Sequence, residues 1–415
     1  MTFDVNTIRT KFPALSQEID GKQVIFLDNP AGTQVPQQVI DSVVDYFSRI
    51  NANQGGVFAT SKATDRMLHE AREIVRDLFV APRVEEIVFG PSMTALNFNL
   101  SRAIAKTLPA DSEIVLTRMD HDANVSPWLT IADDNNWTVR WADFDPEAGT
   151  LDIKSLEDAV NEKTKVVAAV HASNALGTIT PVKKIAEIAH SVGAYFVMDA
   201  VQSAPHVPID VQKIGCDFLL CSAYKFFGPH IGIMWGKYDL LQSLPAYKVR
   251  PAKDKTPFRW ENGTPPFETI AATAEAVRYL ESLRGDNPAM IEGYGGRQLH
   301  LKQAFATLQA YEIELAKKLV SGLQSIQGVS IAGITDLEQI ENRVATVAFV
   351  KDGHSPQAIA EHLSQHQIFA WAGDYYAVEV MKRLGREAEG MVRVGAVHYN
   401  TMDELDTFLN IIEAL

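Results

Sequence analysis

Residues 194–200 read AYFVMDA, and residues 217–236 read DFLLCSAYKFFGPHIGIMWG. The first run ends on Asp199, with Gln202 three residues on; the second stays largely apolar up to Lys225. Aspartate and lysine are costly in apolar surroundings unless each has a partner. Closing two buried strands, they are expected to share one site at the carboxyl edge of an open α/β sheet, where such sheets bind ligands. An isolated pair of this kind also reads as an ordinary buried ion pair, or as a lysine snorkelling from a strand end.

The flanking sequence repeats the pattern. EEIVFG (85–90), EIVLTRMD (113–120) and KVVAAVHAS (165–173) are short apolar runs, and helix-like stretches such as TALNFNLSRAIAKTL (94–108) and PVKKIAEIAHSVG (181–193) alternate with them. Runs that are apolar throughout fit strands covered on both faces, and their alternation with helices predicts a doubly wound, mostly parallel sheet. Beyond about residue 275 the pattern changes. Residues 295–326 carry apolar side chains at helical spacing over the length of a long connecting helix. Strand-like RVATVAFV (343–350) and MVRVGAVHY (391–399) follow, and the chain closes on a helix opened by Thr401 with Glu404 three residues later, a capping box. A second, α+β domain is expected there.

The chain has 415 residues and a formal net charge of −14, which argues against a general nucleic-acid or anionic-membrane surface. Its two cysteines, Cys216 and Cys221, make neither a disulfide framework nor a zinc pattern, so a reducing compartment is expected. MTFDVNTIRTKF at the start has no apolar signal core, and no run is long enough to span a membrane, so a cytoplasmic protein is expected.

Five further segments give the Asp–Lys pair its chemistry. In VFGPSMTALNF (88–98) a strand turns into a helix whose first N–H groups, at Ser92, Met93 and Thr94, could hold a phosphate. His121 follows another strand, where an imidazole could lie flat on a pyridine ring. Asn174 and Gln202 stand where they could reach a phenolic oxygen. Arg393, on an apolar strand of the second domain, is a natural clamp for an α-carboxylate. Singly these are a helix cap, a structural histidine, a turn asparagine, an exposed glutamine and a salt-bridged arginine. Together they suit pyridoxal phosphate, whose aldehyde takes a lysine as a Schiff base and whose pyridine nitrogen needs a carboxylate.

In their order along the chain, these segments resemble the class V aminotransferase group of pyridoxal phosphate enzymes, and within it the cysteine desulfurase-like proteins. The likeness runs from VIFLDNPAGTQVP (24–36) through MDHDANVSPW (119–128), HASNALGTITPV (171–182), MDAVQ (198–202), SAYKFFGPHIGIMWG (222–236) and RWENGTPPFETI (259–270) to VRVGAVHYNT (392–401). It implies fold type I: a large domain over 26–275 with a mostly parallel seven-stranded sheet, and a smaller α+β domain over 276–415 on which residues 1–25 pack. It makes Lys225 the Schiff-base lysine and the proton shuttle at Cα, acting through an external aldimine. Asp199 becomes the pyridinium partner, His121 the ring-stacking group, and Gln202 and Asn174 neighbours of the phenolic oxygen. Ser92, Met93, Thr94, Ser222 and Tyr224 become phosphate ligands. Thr264 matches a residue that reaches the phosphate of a second subunit, implying a homodimer, and Arg393 matches the substrate-carboxylate arginine.

One segment departs from the group. Where its closest members carry a loop Arg-Thr-Gly-His-His-Cys-Ala, whose cysteine accepts sulfur as a persulfide, this chain has Trp371–Ala377 with Tyr376 at the cysteine position. Cys221 shares strand parity with Lys225 and could approach the site, but on a buried strand it is expected to be inert. The resemblance therefore implies an enzyme acting on an amino acid, foremost a C–S lyase on cysteine or a substituted cysteine without a protein persulfide. Transamination, epimerisation and a non-catalytic scaffold are the alternatives. Side-chain specificity is expected in Ala31, Gly55–Gly56, Phe58 and residues 371–379, Tyr376 included.

Overall fold

Seven strands build the central sheet of the computed structural model, which describes residues 3–285 and 290–415. They are β1 (Ile87–Gly90), β2 (Glu113–Thr117), β3 (Thr138–Ala142), β4 (Thr164–Val170), β5 (Tyr195–Asp199), β6 (Phe218–Ser222) and β7 (Gly232–Gly236). Their order is β1-β7-β6-β5-β4-β2-β3. β7 runs antiparallel to both neighbours, and the remaining pairings are parallel. The expected mostly parallel α/β sheet is thus what the chain forms.

The near-continuous apolar strands are explained by two cores, one on each face. Val197, Phe218, Leu220 and Met234 join Met93 in one core. Phe196, Met198, Leu219, Cys221 and Ile233 join the other. Each fully buried aliphatic side chain contributes about 1.5–3 kcal/mol, so register is strongly fixed on both faces. The parallel arrangement brings the ends of β2, β4, β5 and β6 to a single edge.

Helix α1 (Met93–Ala105) begins at that edge, where the Ser92 hydroxyl accepts the Ala95 N–H at 3.1 Å. It can sit there because β7 opens on glycine. A Cβ on Gly232 would lie 2.2 Å from the Ser92 carbonyl carbon and 2.5 Å from the Met93 nitrogen.

The C-terminal part has a four-stranded antiparallel sheet of β8 (Val329–Ala332), β9 (Thr346–Lys351), β10 (Trp371–Gly373) and β11 (Met391–Gly395), in the order β8-β9-β11-β10. The expected long helix is α2 (Gly296–Ser325), and the capping box of Thr401 and Glu404 opens α3 (Met402–Glu413). Near the amino terminus, Ile25–Phe26 pairs with Ile368–Phe369 and Arg9 bridges Glu404 at 2.8 Å.

Buried Arg343 ties the two sheets together. Its guanidinium donates to the carbonyls of Ile334, Leu176 (3.2 Å) and Thr346 (2.6 Å), while Val344 N–H donates to Gly177 O at 2.9 Å. The loop after β4 is thereby fixed against the sheet that carries Arg393. Because the close approach at Gly232 leaves no room for a methyl group, Gly232→Ala is expected to cost about 1–3 kcal/mol in urea unfolding. A variant with wild-type stability would show that the start of α1 is not pinned to β7.

Candidate active site

Strand β6 ends at Ser222, earlier than the apolar run suggests, and Ala223–Lys225 form a single tight turn. That turn corrects the expectation for Cys221. Ser222 has the parity of Leu220 and lines the cavity with Asp199, whereas Cys221 packs into the opposite core. Strand parity does not extend across the turn to Lys225.

The Lys225 amine donates to the carbonyl oxygens of Pro30 and Ala31, the latter at 3.0 Å, and lies 4.9 Å from the centre of the Tyr224 ring. Burial, reinforced by the charge of Arg393, holds its pKa down at about 7 against the pull of Asp199 and Asp28. Asp199, at the end of β5, is 2% exposed, and its carboxylate accepts the Val201 N–H at 2.8 Å. Burial raises its pKa to about 6. Asp199 and Lys225 line one cavity without forming an ion pair, so the ordinary buried-pair reading does not describe them.

That inner cavity, about 60 Å³, is also lined by Met93, Thr94, His121, Asn174, Gln202, Ser222 and Tyr224. It adjoins an outer cavity of about 730 Å³ that shares Lys225, His121, Asn174, Thr94 and Tyr224 and adds Ala31, Arg393 and Tyr376. Ser92 is the cap residue of α1 at the same edge. Thr264 stands apart: with Gly55 it lines a separate cavity of about 950 Å³.

Several buried polar atoms here have no hydrogen-bond partner among the described residues. Asn174 donates to Tyr375 O at 3.0 Å and Gln202 to the Thr346 hydroxyl at 3.3 Å, yet both side-chain carbonyls are left without donors. Gln202 is 4% exposed, in contrast to an ordinary surface glutamine. Arg393 lies mid-strand in β11, opposite Ala348 and Trp371. One guanidinium N–H donates to Asn174 O at 3.0 Å, the group rests 4.4 Å from the Tyr375 ring centre, and Nε has no partner. No carboxylate forms an ion pair with it among the described residues, and burial draws its pKa down to about 10.

His121 accepts the Ala123 N–H through Nδ1 at 3.0 Å, and burial lowers its pKa to about 4, so the ring is neutral. Tyr376 stands 5.6 Å from it, ring to ring. Tyr375 and Tyr376 both have positive φ (51° and 57°), which non-glycine residues rarely adopt. The bend is held by Tyr376 N–H to the Asp374 carboxylate at 3.0 Å, and by Asp122 N–H to Tyr376 O at 2.7 Å. Sequence reasoning missed the carbonyl anchors of Pro30 and Ala31, the charge of Asp28, and the roles of Phe98 and Asp122 in the outer cavity. Only the carboxylate ending IFLD (25–28) carried a recognisable signal for any of them.

A half-buried lysine with no counter-ion among the described residues, a separate buried carboxylate and a helix start at the same sheet edge fit pyridoxal phosphate. The chain belongs to the class-V aminotransferase family, whose model matches residues 25–294 and 295–408 and whose members use that cofactor. It is 33% identical to a probable cysteine desulfurase of Mycolicibacterium paratuberculosis, over 100% of this chain and 58% of that protein. It is 32% identical to a probable cysteine desulfurase of Halalkalibacterium halodurans, over 99% of this chain and 97% of the relative. The apo cysteine desulfurase of Thermococcus onnurineus superposes with a TM-score of 0.87 at 27% identity, covering 100% of this chain and 98% of that one.

A lysine condenses with an aldehyde as the neutral amine. With its pKa held near 7, uptake of pyridoxal phosphate by cofactor-free protein is expected to speed up with rising pH and level off just above about pH 7. Stopped-flow absorbance checks this. A rate still climbing near pH 10, as for an ordinary lysine, would contradict the desolvated amine.

Proposed function

We propose that this protein is a pyridoxal phosphate-dependent C–S lyase that eliminates sulfur from cysteine or an S-substituted cysteine without carrying it on a protein thiol. The observation that carries this reading is the convergence of Lys225, Asp199 and Arg393 on adjoining cavities while both cysteines lie outside them. When bound, the cofactor supplies an electron-withdrawing ring that stabilises negative charge at Cα.

Asp199 would hold the ring nitrogen protonated, its raised pKa marking a carboxyl that gains from a cationic partner. Neutral His121 would lie against the ring face, and Asn174 and Gln202 would face the phenolic oxygen. Ser92, Met93 and Thr94 at the start of α1, with Ser222 and Tyr224, would bind the phosphate. Arg393 would grip the α-carboxylate and so align the Cα–H bond. Lys225 would then remove the Cα proton as a base with a pKa near neutrality. The C–S bonding pair leaves with sulfur, which is protonated to a thiol or sulfide, and hydrolysis of the three-carbon product gives pyruvate and ammonia.

Cys216 and Cys221 support a route without a persulfide, because both are fully buried and burial pushes their thiols well above the ordinary range. Thr264 in its separate cavity supports a homodimer in which that residue serves the neighbouring site. Among the described residues no helix is long and apolar enough to cross a membrane. We also place the boundary between a cofactor domain and a C-terminal domain near residue 275.

The test is to incubate holoenzyme with cysteine, cystine and S-substituted cysteines while assaying pyruvate, thiol and ammonia. Pyruvate is expected in equal amount to the sulfur product (sulfide from cysteine, thiocysteine from cystine, a thiol from the S-substituted compounds), and silence across the panel would remove the proposal. Lys225→Ala is expected to abolish both the visible absorption of bound cofactor and turnover. Arg393→Ala, which removes a charge-assisted contact, is expected to lower kcat/KM about 10- to 100-fold. Exchange of the α-proton without product would point to epimerisation instead.

A further inference from the structure

The outer cavity, about 730 Å³, is larger than cysteine needs, and charges of both signs line it. Lys225 and buried Arg393 are the cations; Asp122 and the exposed Asp374 are the carboxylates. Both residues border Tyr376: its N–H donates to the Asp374 carboxylate, and its carbonyl accepts the Asp122 backbone N–H. Asp122 accepts the Ser126 hydroxyl. Neither forms an ion pair among the described residues. Tyr376 is 70% exposed and Trp371 53% exposed, and both aromatic residues line the same cavity.

Independent of the acids, two buried residues that line this cavity keep polar atoms without a partner among the described residues. Arg393, 5% exposed, has an unpartnered Nε, and Asn174, 6% exposed, has an unpartnered side-chain carbonyl. An amino acid gripped by Arg393 at its carboxylate, with its Cα beside Lys225, would have its side chain free to extend into the remaining space. A cation there would meet two carboxylates without counter-ions and two aromatic faces, which attract cations through their quadrupoles. A carboxylate would meet repulsion.

We propose that the outer cavity selects amino acids whose side chain, or whose sulfur substituent, ends in a cationic group held by Asp122 and Asp374 against Tyr376 and Trp371. The inference rests on the substrate orientation proposed above and deepens it by naming the substituent. Where elimination follows, substrates of this class carry sulfur on the β-carbon.

Two measurements separate this idea from the lyase reading. The first is binding without a leaving group: lysine, norleucine and 2-aminoadipate are titrated into holoenzyme, read by cofactor absorbance and by thermal shift. Lysine is expected to bind about tenfold more tightly than norleucine, since partly exposed ion pairs are individually modest and two act here. 2-Aminoadipate is expected to bind most weakly, and the preference should shrink at high salt. Equal affinity for lysine and norleucine would overturn the proposal.

The second is turnover of S-(2-aminoethyl)cysteine against S-propylcysteine. A kcat/KM ratio favouring the aminoethyl compound is expected, and a ratio near one would overturn the proposal even if both are cleaved. Failure of both to react, with the lysine preference intact, would sink the lyase reading and leave the charge selection standing. Asp122→Asn and Asp374→Asn keep the acceptors used by Ser126 and by Tyr376 N–H. The double variant is therefore expected to fold, as its thermal transition will show, and to bring the lysine-to-norleucine ratio close to one. A folded double variant that kept the full preference would show that the carboxylates do not carry it.

Discussion

A primary amine kept out of water without a counter-ion is the constraint on which the site depends. Lys225 is satisfied by two backbone carbonyls, from Pro30 and Ala31, and not by Asp199. Carbonyl dipoles solvate an ammonium poorly compared with water, so the amine loses its proton easily and is poised near neutrality. An ion pair with Asp199 would have done the opposite. It would have fixed the charge on lysine and occupied the carboxylate. Keeping the two apart leaves both available to a third party.

The rest of the fold maintains that separation. Parallel strands deliver Asp199 and Ser222 to one edge, and the missing Cβ of Gly232 lets α1 begin beside them. Arg343, bonded to carbonyls of both parts of the chain, holds the Asn174 loop against the sheet that carries Arg393. The Asn174 carbonyl in turn accepts from Arg393. The two sides of the site therefore come from different sheets, yet they are joined by the hydrogen bonds of Arg343 and Arg393.

Much of this was legible in the sequence, because buried strands and helix caps leave local signals. KVVAAV and AYFVMD read as strands covered on both faces, Ser92 and Thr401 read as caps, and residues 296–325 carried a helical period. The ends of β2, β5 and β6 then brought together His121, Asp199 and the Ser222–Lys225 turn much as expected. What was not legible depends on backbone shape. The turn at Ala223–Lys225 separates Cys221 from the site, and the anchors of Lys225 are carbonyl oxygens, which any residue could supply. Likewise, the aromatic and acidic rim arises from two successive residues at positive φ, Tyr375 and Tyr376, a conformation their identity does not suggest. Thr264 was read as reaching the phosphate of a second subunit, and within one chain it lines a different cavity.

The central claim is that sulfur leaves this site directly, with no thiol of the protein as acceptor. Mass analysis of Cys216 and Cys221 during turnover with cysteine, alongside identification of the three-carbon product, tests it most directly. The account predicts pyruvate as that product and both cysteines unmodified. Alanine as the product, with an added sulfur atom on either cysteine, would contradict it.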